Sequence, residues 1–140
     1  MLSIYPACFY KEDNGYSVIF PDLNYLSTCG DSLENVMNMA IDGLASYIYS
    51  SKLDNEPLAS PSSLDAVDPM AVAKEIGFEA TDYFVNLVSV NVEEYAKSHF
   101  SKSVKKTLSI PEWLNREAMS KNINFSQVLQ EALISKLRSL

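Results

Sequence analysis

The sequence predicts an α+β fold in two parts: a larger amino-terminal domain of β-β-β-α-β order, and a carboxyl-terminal module of one strand and two helices. Three observations predict it. Strand-length runs of aromatic and β-branched residues, broken by Gly, Pro, Asn and Asp, fill the first 30 residues and return at residues 83–92. Between them one long stretch repeats apolar residues at the 3,4 spacing of a buried helical stripe. The last 38 residues then change charge and composition, and read as a strand followed by two helices.

Residues 2–10 and 16–20 read as two strands joined across 11–15, where Asp13, Asn14 and Gly15 supply turn chemistry. Tyr16, Val18 and Phe20 share one face of the second strand. Pro21 and Asp22 stop it, residues 25–29 suit a short third strand, and Gly30 breaks the chain. Asp31 is the expected cap of the helix that follows, with Glu34 three residues on in capping-box spacing. Leu33, Val36, Met37, Ala40, Ile41, Leu44 and Ile48 form its stripe. Residues 53–69 turn to Pro, Ser and Asp, with prolines at 57, 61 and 69. This stretch reads as a loop or flexible excursion, because another strand follows it. Residues 70–76 read as a helical turn. Residues 83–92 form a strand with Phe84, Val88, Val90 and Val92 on one face, and 93–100 a short helix or helical linker. A meander with a helix across it packs as one sheet against one or two helices.

In the last segment Val104, Leu108 and Ile110 alternate with Lys105, Thr107 and Ser109. Lys106 departs from the pattern by sitting on the inward side. Pro111 ends the strand and suits the first turn of a helix, and Ser126 is the expected cap of the second helix after a turn at 122–125. A unit of fewer than about 40 residues needs a partner, a metal or disulfides to fold. The strand is therefore expected to pair across a homodimer, with Leu108, Ile110, Leu114, Ala118, Val128, Leu129, Ala132, Leu133 and Leu137 as the shared core and Trp113 as a packing anchor. Two paired strands fit the major groove of DNA. Lys105, Thr107 and Ser109 are then the base-contact candidates. Lys106, with its stem over apolar surface and its amine free, is a phosphate contact. Ser126 and Gln127 offer helix-start N–H groups to phosphate, or form an ordinary cap with no ligand.

Charge divides the same way. Residues 1–94 hold three basic and 15 acidic residues, a balance of −12, while residues 95–140 hold eight basic and three acidic, a balance of +5. Halves of opposite sign point to two different partners. Twelve of the 15 aromatics precede residue 96, which places the independent core in the first part. No secretory signal or bilayer-length apolar run of roughly 20 residues is seen, so a cytoplasmic protein with no membrane partner is expected. Cys8 and Cys29, in separate strands, are expected to stay reduced. Two thiols and the single His99 make a metal site improbable, and no cofactor is implied.

The stretch GYSVIFPDLNYLSTCGDSLENVMNMAIDGLASYI resembles the amino-terminal domain of HicB antitoxins. In that family a strand ends in a Pro-Asp-Leu step and a Cys-Gly-Asp-Ser/Thr-Leu-Glu sequence opens the long helix. YFVNLVSVNVEEYAKS is similar to the family's final strand and the segment after it. KKTLSIPEWLNREAMSKNINFSQVLQEAL resembles a ribbon-helix-helix DNA-binding domain. The resemblance implies a reduced ribonuclease-H-like domain without nuclease activity over residues 1–98, a linker at 99–103, and a ribbon-helix-helix dimerisation domain at 104–140. It further implies binding and inhibition of a HicA-like ribonuclease toxin, and repression of the operon through operator double-stranded DNA. A homodimer, or a dimer of dimers, would bind that DNA. The resemblance leaves the toxin-contact residues unassigned.

Two alternatives remain open at this level. One is a ribbon-helix-helix regulator without a toxin partner. The other is a metal-dependent ribonuclease-H-like nuclease, which needs several carboxylates converging on Mg²⁺. Asp13, Asp22, Asp31 and Glu34 are available, but the first three sit at a turn, a strand end and a helix cap, where Asp is common for local reasons. No acidic residue lies within a predicted strand. His99 lacks a nucleophile nearby in sequence, so a non-enzymatic protein is expected.

Overall fold

The strand β1 (Ser3–Glu12) turns through Asp13 and Asn14 into β2 (Gly15–Phe20), with Cys8 opposite Ile19 and Glu12 opposite Gly15. Gly15 has φ +142°, and a Cβ there would run into the carbonyl oxygen of Gly30. β2 pairs on its far side with β3 (Leu26–Gly30), and β4 (Tyr83–Val90) returns to pair with β1. The result is one antiparallel sheet of order β3-β2-β1-β4. The computed structural model describes all 140 residues, in two units, Met1–Lys102 and Ser103–Leu140. The sheet belongs to the first.

Helix α1 (Leu33–Leu53) covers one sheet face. Its buried stripe is Val36, Ala40, Leu44, Ala45 and Ile48, packed on Tyr5, Ala7, Phe9, Val18, Phe20 and Val88. Leu33, expected in that stripe, is instead exposed in the first turn. The cap also shifts by one residue. Ser32, not Asp31, has the extended backbone of a cap, and its Oγ accepts from Asn35 N at 3.0 Å. Asn35 Oδ1 in return accepts from Asp31 N at 3.1 Å, so Asn35 fills the place expected of Glu34. Gly30 makes this corner possible, since a Cβ there would lie 2.5 Å from Val36 N.

The opposite face holds a second core that the periodicity did not reveal. β1 is buried continuously from Tyr5 to Tyr10, on both faces. Cys8, Tyr10 and Ile19 pack there against Val72 and Ala73 of α2 (Pro69–Ile76), with Phe78 closing the edge. The phenol of Tyr10 donates to Pro69 O at 2.7 Å, and burial raises its pKa above the ordinary range. Cys8 lies in this core while Cys29 is exposed on β3, with β2 between them.

The Pro/Ser-rich segment between α1 and α2 is a loop, as one of the two expectations had it, and contacts at Leu58, Ala59 and Ser62 hold it down as a strap. Tyr5 Oη donates to Ala59 O at 2.6 Å, and Leu58 packs on the core. Asp22 accepts from Ser62 N at 2.8 Å and from Ser62 Oγ at 2.7 Å. Asp22→Ala removes both bonds to a charged acceptor, each of a kind worth about 1.5–3 kcal/mol. Faster amide exchange across residues 57–67 is the expected outcome, and exchange at the wild-type rate would refute the strap.

Helix α3 (Val92–His99) follows β4, with Val92 and Ala96 buried, so Val92 continues the face of Val88 and Val90 from within a helix. Asn91 caps α3 by accepting from Glu94 N at 3.2 Å. Tyr95 anchors it on α1, donating to Asp42 Oδ1 at 2.8 Å. Burial first, then that bond, push the Tyr95 phenol up to about 12. No helix of the protein is long and apolar enough to cross a membrane.

Candidate functional site

The second unit contains α4 (Glu112–Ser120) and α5 (Phe125–Arg138). Residues 101–110 form no strand within the single chain, contrary to the pattern of residues 104–110. The reason is physical: a strand exists by its ladder, and this unit contains no second extended segment to complete one. Pro111 caps α4 from outside, with Glu112 as its first helical residue. The α4–α5 corner is tight. Asn122 takes φ +55° and Ile123 N donates to Ala118 O at 3.1 Å, closing the end of α4.

Asn124, rather than Ser126, caps α5. Its side chain accepts from Gln127 N at 3.1 Å, and its extended backbone places Ser126 inside the first turn. Both residue types cap well, so only the backbone decides between them. Gln127 has its N–H committed to this cap, and its side-chain amide donates to Glu131 Oε1 at 3.2 Å. The N–H groups of Phe125 and Ser126 remain at the helix start.

The decisive property of this unit is that none of its residues is buried, and only Ala118 is even half-buried. Leu108, Ile110, Leu114, Val128, Leu129, Ala132, Leu133 and Leu137 are all exposed, Leu137 to 70%. Apolar surface on this scale marks a contact face. A groove of about 790 Å³ brings Lys105, Lys106 and Thr107 beside Ser126, with Val104, Leu108, Leu129 and Leu133 lining its apolar part. Ser109 and Gln127 are not part of it. Because the strand is unformed, Lys105 and Leu108 share this groove rather than occupying opposite faces.

In the first unit the carboxylates weighed for catalysis do not converge. Asp13 lies in the β1–β2 turn, Asp22 holds Ser62, and Asp31 and Glu34 flank the start of α1. No three His, Cys, Asp or Glu side chains are grouped to hold a metal ion. His99 stacks on Tyr95 with ring centroids 3.8 Å apart, and its Nδ1 lies 3.0 Å from Tyr95 O. This i, i+4 contact within one helix was available from the spacing once the helix was placed.

A sequence model of the HicB-like antitoxins of bacterial toxin–antitoxin systems matches residues 5–133, through both units. The chain belongs to this antitoxin family. Antitoxin HicB 1 of Photorhabdus laumondii subsp. laumondii is 40% identical over 68 residues, 46% of this chain and 44% of that protein. The chain thus matches under half the length of that curated relative. One chain of a toxin–antitoxin complex from Streptococcus pneumoniae is 30% identical, with 97% of this chain and 99% of that chain covered and a TM-score of 0.64. For a HicB-like antitoxin the two units have contrasting surfaces: an acidic domain with its core complete, and a basic module with no core of its own.

Proposed function

We propose that this chain is the antitoxin and autorepressor of a HicBA-type system. Its amino-terminal domain binds and inhibits a HicA-type ribonuclease, and its carboxyl-terminal module pairs with that of a second copy to bind operator DNA. The observation that carries this reading is the family match running unbroken through both units. The similar Streptococcus pneumoniae chain, which belongs to a toxin–antitoxin complex, supports a toxin partner.

The physical chemistry agrees with the division of labour. The Met1–Lys102 domain, with five basic and 15 acidic residues and a net charge of −10, repels nucleic acid and complements a cationic RNA-binding protein. The Ser103–Leu140 module, with six basic and three acidic residues and a net charge of +3, suits a phosphate backbone. Its exposed leucines and valines suit burial against the same surface of a second copy, in the isologous manner of a two-fold dimer. Pairing would supply the ladder that residues 104–110 lack alone, and would separate Lys105, Thr107 and Ser109 from Leu108 and Ile110. Of the four carboxylates weighed for two-metal hydrolysis, Asp22 accepts both Ser62 bonds, and no three acidic side chains are grouped to hold a metal ion.

Coexpression with the HicA-type toxin of the same operon tests the reading. A stable complex and loss of RNA cleavage are expected; full cleavage in the presence of excess chain would overturn it. Operator affinity should fall linearly in a plot of log K against log salt, each neutralised phosphate contributing about −0.9 to the slope. A flat dependence, measured by fluorescence anisotropy, would contradict phosphate contacts.

A further inference from the structure

The terminal strand β3 has β2 as its only neighbour, so one edge of the sheet presents unpaired N–H and C=O groups. Such an edge is a template for another strand. Beside it runs a groove of about 490 Å³, with Leu26 and Thr28 of β3 on one wall and α1 on the other. Gly43, Ser46 and Ser50, at helical 3,4 spacing, make a low row in the helix wall, which Met39 and Tyr47 also line. An incoming backbone can therefore approach β3 over this row of small residues. Over Gly43 even an added Cβ would find nothing nearer than Leu26 Cδ2 at 3.9 Å.

The groove also has a charge. Asp42, Asp54 and Glu56 line it and no lysine or arginine does. Neither ion pair of the protein involves these three carboxylates. Asp42 receives the Tyr95 phenol on one oxygen, while Asp54 and Glu56 are exposed. The carboxyl-terminal turn of α1 lines the same stretch, and the negative end of its dipole adds to theirs. The opposite edge of the sheet, β4, reads YFVNLVSV and carries no charged residue.

We infer that this groove receives an extended, lysine- or arginine-bearing segment of the protein partner, which adds to β3 as a fifth strand. Side chains of an added strand alternate, so cations at every second position face α1 and its carboxylates. Backbone pairing gives the segment its register, and the charges select a basic partner over a second copy of this acidic domain. The inference rests on the toxin-binding reading above and assigns that reading a surface.

The test uses the full chain and the catalytically inactive HicA-type toxin of its operon. Asp54→Lys with Glu56→Lys should weaken binding at least tenfold by calorimetry, and Asp54→Asn with Glu56→Gln by less. Both pairs are exposed, so an unchanged thermal midpoint is expected for each. Amides of Leu26–Gly30 should gain exchange protection in the complex, and those of Tyr83–Val90 should not. Wild-type affinity in the lysine variant, or protection at β4 instead of β3, would overturn the groove and leave toxin binding standing. Absence of binding by the unaltered chain would overturn the toxin-binding reading, and the groove with it.

Discussion

Alanine at both Lys105 and Thr107 is expected to abolish specific operator binding while leaving toxin inhibition at the wild-type level. Each good base contact is worth about 1–3 kcal/mol, so losing two costs roughly 2–6 kcal/mol. At about 1.4 kcal/mol per factor of ten this is a roughly 30-fold to 10⁴-fold loss of affinity. Neither residue supports the fold of the single chain, since both are exposed on a segment without secondary structure. Substituting them should therefore change stability by less than about 0.5 kcal/mol. Lys106→Ala supplies the contrast. As a phosphate contact it should weaken binding to all sequences alike and reduce the salt slope by about 1. A gel-shift titration with operator and random duplex separates the two effects, and undiminished specific binding by the double variant would refute the base-contact assignment.

What the sequence revealed depended on how local each determinant is. Helix α1 was legible because its buried stripe, Val36 through Ile48, repeats within one element and needs only one sheet to face. Its cap was not. Asp31 and Ser32 are adjacent and both of types that cap well, and the choice between them lies in the backbone, which is extended at Ser32. The same ambiguity displaced the cap of α5 from Ser126 to Asn124.

The second core was written into the unbroken run Tyr-Pro-Ala-Cys-Phe-Tyr of β1, since a strand buried on both faces shows no alternation. What covers it could not be read, because Tyr10 meets Pro69 across 59 residues of chain. The strap has the same cause: Asp22 looked like a strand stop, and its partner Ser62 lies 40 residues away. In the carboxyl-terminal unit the alternation of residues 104–110 was plain, but a pattern does not make a strand. Within the single chain that unit offers no second extended segment to complete the ladder.

Leu129→Glu tests the proposed pairing with a second copy most directly and is expected to turn the chain into a monomer. In the single chain Leu129 is 37% exposed and lines the groove with Val104, Leu108 and Leu133. A carboxylate there keeps its water, so the fold of Met1–Lys102 and toxin inhibition should be unaffected. Pairing of two copies would bury it with no cation to meet it. Burying even a neutral polar group without a hydrogen bond costs about 2–7 kcal/mol, and an ionised carboxylate more. Two-fold symmetry places the substitution on both sides of the interface and applies the cost twice. A dimer of nanomolar stability, about 12 kcal/mol, would then dissociate at micromolar protein. Sedimentation equilibrium should show a monomer, and operator binding should vanish although Lys105, Thr107 and Ser109 are intact. The alanine pair at Lys105 and Thr107 should behave in the opposite way, dimeric but silent on DNA. An unchanged dimer in the Leu129 variant would mean that the exposed apolar face of α5 is covered by something other than its own copy.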